Sequence, residues 1–226
     1  MRILFAFLTL FLSLSVSADQ DLIDRLRKME TQLGLPDMSL VALSANESTL
    51  SWYALNFDDV ASFYPKTKAH ALKIIRSVSG RPYAVKIVKP NAGDEVYFFA
   101  TRQAAQRAVA KARQLKGYSV ATHHDKTVVK KIDLLNTGLC AMQLNFRWQA
   151  HGQGRTAEDL LDREFCIEHA SSFVAGLIQK HGFEKGIGCY YTCGNGPRAQ
   201  QDRKEYFKRY KRHLDRLTSS SSIAQR

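Results

Sequence analysis

The chain has 226 residues, 45% of them hydrophobic, and a formal net charge of +12. That length and apolar content fit one domain of ordinary size with a real core. For so basic a protein the export pattern at its start makes an anionic wall or membrane surface the natural acidic partner and argues against nucleic acid.

Met1-Arg2 precede an apolar run from Ile3 to Val16, which ends in the small residues of Val16-Ser17-Ala18. This is the pattern of a signal peptide, residues 1–18, cleaved after Ala18. The run is too short to span a bilayer comfortably, and no cysteine stands near the cleavage site to take a lipid. The mature chain is therefore expected to lack an integral membrane span and to be periplasmic or secreted.

Asp21 to Leu33 reads as an amphipathic helix with Leu22, Leu26, Met29 and Leu33 on one face. Gly34 stops it, and Pro36 opens the next helix after a tight connection. That second helix, Met38 to Asn46, is apolar at Leu40, Val41, Leu43 and Ala45, which predicts burial. Glu47 leaves its end. Burial of a carboxyl raises its pKa, which is what a general acid near neutral pH requires.

Trp52 to Phe63 is aromatic and carries Asp58 and Asp59, a core-plus-loop segment or one wall of a cleft. Lys66 to Val78 predicts a short helix ending near Gly80. Tyr83–Val88 and Glu95–Ala100 are strand-like runs joined by a six-residue loop, a hairpin. Thr101 caps a helix over Arg102–Lys116 with Ala105, Ala108, Val109, Ala112 and Leu115 inward. His123-His124-Asp125 lies in a polar stretch and reads as a loop rather than a metal site.

Gly138-Leu139-Cys140-Ala141-Met142-Gln143-Leu144-Asn145 mixes small residues, which admit close backbone approach, with two amides suited to sugar hydroxyls and N-acetyl groups. Phe165 to His181 predicts a helix closed by Gly182. A further helix contains Ile187–Thr192, and Arg198 to Leu217 forms a basic helix anchored by Tyr206, Phe207 and Tyr210. Residues 218–226 read as a flexible tail.

Cys140, Cys166, Cys189 and Cys193 are an even set in an exported chain, so two disulfides are expected, in any of three connectivities. Cys189 and Cys193, one turn apart, are poorly placed to pair inside a regular helix. Zinc is the rival reading, but the tight CxxC spacing of zinc sites is missing. Neither a metal nor a cofactor is expected.

In this order the segments resemble the soluble lytic transglycosylase (SLT) family of the lysozyme superfamily, which cleaves bacterial peptidoglycan. Gly34-Leu35-Pro36 with Ala42-Leu43-Ser44-Ala45-Asn46-Glu47-Ser48 is similar to the family helix ending in Glu-Ser. Met142-Gln143-Leu144-Asn145-Phe146-Arg147-Trp148 is similar to its Gly-Leu-Met-Gln-Ile-Asn segment and the aromatic stretch after it. Leu161-Asp162 and the helix from Ile167 resemble the Asp-Pro…Asn segment, and Gly188-Cys189-Tyr190-Tyr191 resembles the Gly-Arg-Tyr-His or Ala-Tyr-Asn segment. The hairpin and the Thr101 helix, about 81–117, resemble an insertion of exported, secretion-associated members. Cys166 stands where the family often has Asn, and Cys189 where Arg is common, so the cysteines fall at the altered positions.

The resemblance implies an α+β, mostly helical lysozyme-like fold over 19–217 with a small β-hairpin lobe. It implies cleavage of the MurNAc-GlcNAc β-1,4 bond with a 1,6-anhydro product, without metal. Glu47 would be the catalytic acid and base; Ser48, Met142, Gln143, Asn145 and Tyr190 would bind substrate. The partner is the peptidoglycan glycan strand, with a secretion or conjugation apparatus as the setting for wall opening. A hydrolytic lysozyme would want a second carboxylate, for which Asp58, Asp59, Asp125 and Asp133 are candidates. The alternative from another class is a non-catalytic peptidoglycan-binding component of an envelope machine.

Overall fold

The structure is a computed structural model that describes residues 20–58, 60–90, 93–123 and 125–224. The expected signal peptide lies outside the described residues. In chain order the first elements are α1 (residues 20–33), α2 (Ser39–Ser48), β1 (Leu55–Phe57), β2 (Ala61–Phe63), α3 (Lys68–Gly80), β3 (Tyr83–Lys89), β4 (Gly93–Phe99) and α4 (Arg102–Gln114). There follow β5 (Ser119–Ala121), β6 (Lys130–Lys131), β7 (Thr137–Leu139), β8 (Leu144–Asn145), α5 (Phe146–Gln149), α6 (Ala157–Leu160), α7 (Arg163–His181), α8 (Phe183–Tyr191) and α9 (Pro197–Ala224). The chain is α+β, as expected. Within the span read as one domain, the residues gather into two compact units. One holds the chain up to Trp52, the segment Cys140–Met142 and everything from Asp162; the other holds Tyr53–Leu139 and Gln143–Leu161.

The first unit is helical. α1 buries Leu22, Leu26 and Glu30, spaced by four residues along one face. α2 is covered almost all round: Ser39 through Ala45 and Ser48 are buried. α7 starts at Asp162, whose carboxylate accepts the N–H of Phe165 at 3.0 Å. Gly182, at φ 78°, turns the chain directly into α8. At Gly186 a Cβ would stand 2.6 Å from the Cα of Ile178, so α7 and α8 meet backbone to backbone and only glycine fits. α9 packs on α2 and α8 through Tyr206 and Tyr210, both buried. It runs on to Ala224, past the Leu217 end expected from the sequence. Serine is a mediocre helix former, but no glycine or proline interrupts 218–224.

The four cysteines form two disulfides, Cys140–Cys166 and Cys189–Cys193. The second is the pairing that a regular helix would disfavour, and the chain makes it by leaving the helix. α8 ends at Tyr191, not beyond Thr192, and Thr192 is extended (φ −157°, ψ 130°). That swings Cys193 off the helix and brings the two Cα atoms to 4.4 Å.

The second unit carries two antiparallel sheets. One has the order β2-β1-β7-β8, with Leu55 opposite both Phe63 and Leu139, and Leu139 opposite Leu144. The other has the order β4-β3-β5, with β6 also on β3. Its β3–β4 pair is the expected hairpin, in register at Val85 and Tyr97. Thr101 caps α4 as expected, its hydroxyl accepting the N–H of Ala104 at 3.1 Å. Ala105 and Val109 of α4 bury themselves with Val85, flanked by Tyr83, Ile87, Phe99 and Val120. Leu115, expected inward, is exposed because α4 ends at Gln114. With β5 and β6, the module extends past residue 117.

Candidate active site

Glu47 stands in the last turn of α2, and the start of that helix explains how it is held. Met38, the N-cap residue, is left-handed (φ 62°) and offers no side-chain cap. Glu30 of α1 does the capping instead. Its buried carboxylate accepts the N–H groups of Met38 (2.8 Å), Leu40 (2.6 Å) and Val41 (3.2 Å). Three orphan donors of the helix start are thus satisfied by one anion at its positive end.

The other end is closed by Ser48 and two left-handed residues, Thr49 and Leu50, whose N–H groups reach back to the carbonyls of Ala45 (3.2 Å) and Ser44 (3.5 Å). The Ser48 hydroxyl donates to the Ser44 carbonyl at 3.0 Å and accepts the N–H of Ser51 at 3.2 Å. Ser48 is 1% exposed, so its side chain finishes the helix. Glu47 is the carboxylate that emerges, partly covered.

Its surroundings are specific. The Tyr206 hydroxyl donates to Glu47 Oε1, and Asn46 Nδ2 donates to the same oxygen at 3.3 Å. Burial pushes the Glu47 carboxyl above its ordinary value; the Tyr206 and Asn46 hydrogen bonds and the charge of Arg209 pull the other way without cancelling it. Burial, with the neighbouring Glu47 charge, also holds the Tyr190 and Tyr206 hydroxyls well above the phenol range, so both remain donors. Tyr206 is fixed in turn: Tyr191 stacks on it at 5.3 Å and 13°, and the Arg209 guanidinium lies 5.5 Å from its ring centre.

The segment Cys140–Met142 belongs to this unit and is pinned at every residue. Cys140 is bonded to Cys166 of α7, the Ala141 carbonyl accepts the Ser44 hydroxyl at 3.0 Å, and the Met142 carbonyl accepts the Tyr190 hydroxyl at 2.5 Å. The resemblance implies that Tyr190 binds substrate. The Tyr190 hydroxyl holds the Met142 backbone, and Tyr206 takes the Glu47 contact. Met142 is fully buried, so its side chain fills the core.

Gln143 and Asn145 lie in the second unit. Gln143 is left-handed (φ 51°), and its side chain lies against Gly138: a Cβ there would stand 2.6 Å from Gln143 Oε1. Asn145 is the N-cap of α5, its Oδ1 accepting the N–H of Trp148 at 3.4 Å. Trp148 itself is 72% exposed.

The candidate second carboxylates are occupied where the structure describes them. Asp58 pairs with Lys130 at 3.4 Å, Asp133 with Arg147 at 2.5 Å, and Asp125 accepts the N–H and hydroxyl of Thr127 at 3.0 and 2.6 Å. Asp59 and His124 lie outside the described residues. His123 is buried, its N–H bonded to the Thr127 carbonyl at 2.8 Å, so with Asp125 it builds a turn, as the sequence suggested.

Sequence reasoning missed Tyr206 and Asn46 as partners of Glu47. Asn46 is adjacent and legible; Tyr206 reads as an aromatic anchor of the last helix, and nothing in its local pattern says that its hydroxyl meets a carboxylate 159 positions away. Removing that hydroxyl gives a direct test. Tyr206→Phe deletes a bond that favours the carboxylate, so the Glu47 pKa should rise further. A carboxyl NMR titration would show it, and an unchanged or lower value would contradict the assigned contact.

No family model, curated protein or solved structure matches the chain. No helix among the described residues is long and apolar enough to cross a membrane. The two disulfides suit an oxidising compartment.

Proposed function

We propose that the protein is a peptidoglycan lytic transglycosylase of lysozyme-like fold, acting on glycan strands in the cell envelope. The observation that carries this reading is Glu47: a carboxyl at the exit of a buried helix, raised in pKa by burial and gripped by a buried tyrosine hydroxyl. A carboxyl whose pKa is raised by burial holds its proton to higher pH than an ordinary glutamate, and the Tyr206 contact fixes its aim. The order of the motifs around it, from Gly34-Leu35-Pro36 to Tyr190, supports the same reading.

In this mechanism Glu47 acts twice. Protonated, it donates to the glycosidic oxygen between N-acetylmuramic acid and N-acetylglucosamine, and the bond breaks through an oxocarbenium-like state. As a carboxylate, it then takes the proton of the muramyl C6 hydroxyl, whose oxygen attacks C1 of the same ring. Because the nucleophile is intramolecular, effective molarity does the work that an activated water does in a hydrolase. The Tyr206 hydroxyl stabilises the carboxylate between the two steps. Tyr191, 60% exposed and stacked on Tyr206, offers an aromatic face to a sugar ring. The engagement of Asp58, Asp125 and Asp133 with their own partners favours this route over one that needs a second carboxylate.

The test is to incubate purified protein with peptidoglycan sacculi and weigh the soluble muropeptides by mass spectrometry. Products one water lighter than hydrolysis products are expected. Products of full hydrolytic mass would make the protein a lysozyme. Binding to sacculi without soluble products would overturn catalysis and leave a wall-binding component.

A further inference from the structure

Away from Glu47, the join between α7 and α8 gathers three ligand-type side chains. His181 closes α7, Cys189 sits in α8 and Cys193 follows two residues after its end. Their donor atoms all lie within 4.8 Å of one another, and this is the one such trio of His, Cys or carboxylate groups found among the described residues. His181 Nε2 stands 3.9 Å from Cys193 Sγ. On a shared tetrahedral zinc, with Zn–S near 2.3 Å and Zn–N near 2.0–2.1 Å, sulfur and nitrogen would be about 3.6 Å apart. The imidazole is thus already at a ligand's distance from the sulfur.

We propose that Cys189, Cys193 and His181 form a redox-gated site for a thiophilic divalent cation of the zinc class, closed while the cysteines are joined and open when they are reduced. Two thiolates and an imidazole are the donor set that borderline-soft cations prefer over calcium or magnesium. The disulfide and the cation use the same sulfurs, so they exclude each other.

The geometry allows the gate to be worked from outside. Cys193 is exposed, whereas Cys140 and Cys166 are each 1% exposed, so an external thiol reaches the Cys189–Cys193 bond and not the other. A dithiol attacks Cys193 Sγ, forming a mixed disulfide and releasing the Cys189 thiolate. Its second thiol then displaces Cys193, leaving two reduced cysteines and the reagent as its own cyclic disulfide. The cation replaces the two thiol protons, which pass to solvent, and neutral His181 supplies Nε2. His181 also borders a cavity of about 450 Å³ lined by Gly182, Phe183, Lys185 and Arg203. Three protein ligands on a tetrahedral cation leave its fourth position to water or an external ligand. The proposal is independent of any activity at Glu47.

Cobalt(II) serves as the spectroscopic probe. The protein is treated with a water-soluble phosphine, which takes up the oxygen of one water as two hydrogens go to the sulfurs, and is then titrated with Co²⁺. The expected result is one Co²⁺ per reduced chain, with thiolate charge-transfer and tetrahedral d–d bands, and none for the oxidised protein. His181→Asn should weaken binding by roughly tenfold or more, since loss of even a supporting contact at a metal site has that effect. Zn²⁺ should protect Cys189 and Cys193 from alkylation, read by peptide mass mapping. Equal binding by oxidised protein, protection of Cys140 and Cys166 instead, or an unweakened His181→Asn would each overturn the site. So would a reduced protein whose helical circular dichroism is lost and not restored by Zn²⁺.

Discussion

Glu47→Gln is expected to cut the release of soluble muropeptides from sacculi by roughly 10²–10⁴-fold, the range that a positioned general acid–base group contributes. Glutamine keeps the shape and an acceptor for the Tyr206 hydroxyl but has no proton to give. The same substitution should stabilise the fold at neutral pH. The folded protein holds the Glu47 proton more tightly than the unfolded chain, where the ordinary value is 4.5. The stability Glu47 contributes is therefore complete below that value and is lost as pH rises through the higher folded value. Above it, an ionised carboxylate is buried at a cost. Glutamine removes that cost, a gain of about 1 kcal/mol being usual when a strained functional group is replaced. Melting curves at several pH values should show the variant above the parent near pH 7, with the gap narrowing toward pH 4. Full activity in the variant, or no stabilisation at any pH, would sink the assignment.

Glu30→Ala should be the most damaging change to stability, about 3 kcal/mol. Its carboxylate satisfies the N–H groups of Met38, Leu40 and Val41 in a buried place, and alanine would leave all three without an acceptor. For a chain of this size that corresponds to a fall in Tm of roughly 6–12 °C. Glu30→Gln should be intermediate, since its carbonyl oxygen can still accept while its NH₂ faces donors. Calorimetry of both variants checks the order. A Glu30→Ala protein within about 1 kcal/mol of the parent would mean that α2 does not depend on this cap. Because α2 also carries Glu47, Glu30→Ala should lower activity even where the protein remains folded, by loosening the helix that aims the carboxyl.

Much of the architecture was legible in local pattern. The helix over 102–114 was signalled by the Thr101 cap and an alanine-rich inward stripe, and the β3–β4 hairpin by its change of period. The buried character of α2 followed from its unbroken apolar run. The strands β1, β2, β7 and β8 were not legible, because segments of two or three residues carry no period and exist only by pairing across the sheet. Nothing local to the first helix marks Glu30 among its charged residues. Its burial follows from where α2 begins, eight to eleven residues later.

The site divides in the same way. Glu47 could be singled out from sequence, because a carboxylate leaving an apolar helix is a local anomaly. That Tyr206 and not Tyr190 holds it depended on the packing of α9 against α2, a contact between residues 159 apart that no local spacing encodes. The pairing of Cys189 with Cys193 depended on where α8 stops, since one extended residue, Thr192, separates a helical spacing that opposes the bond from a geometry that permits it. Sequence by itself determined which residue types were present and which helices and strands their periods favoured. Tertiary structure decided the partners, because a hydrogen bond, a disulfide or a pKa depends on distance and burial, and those are fixed only when remote segments meet.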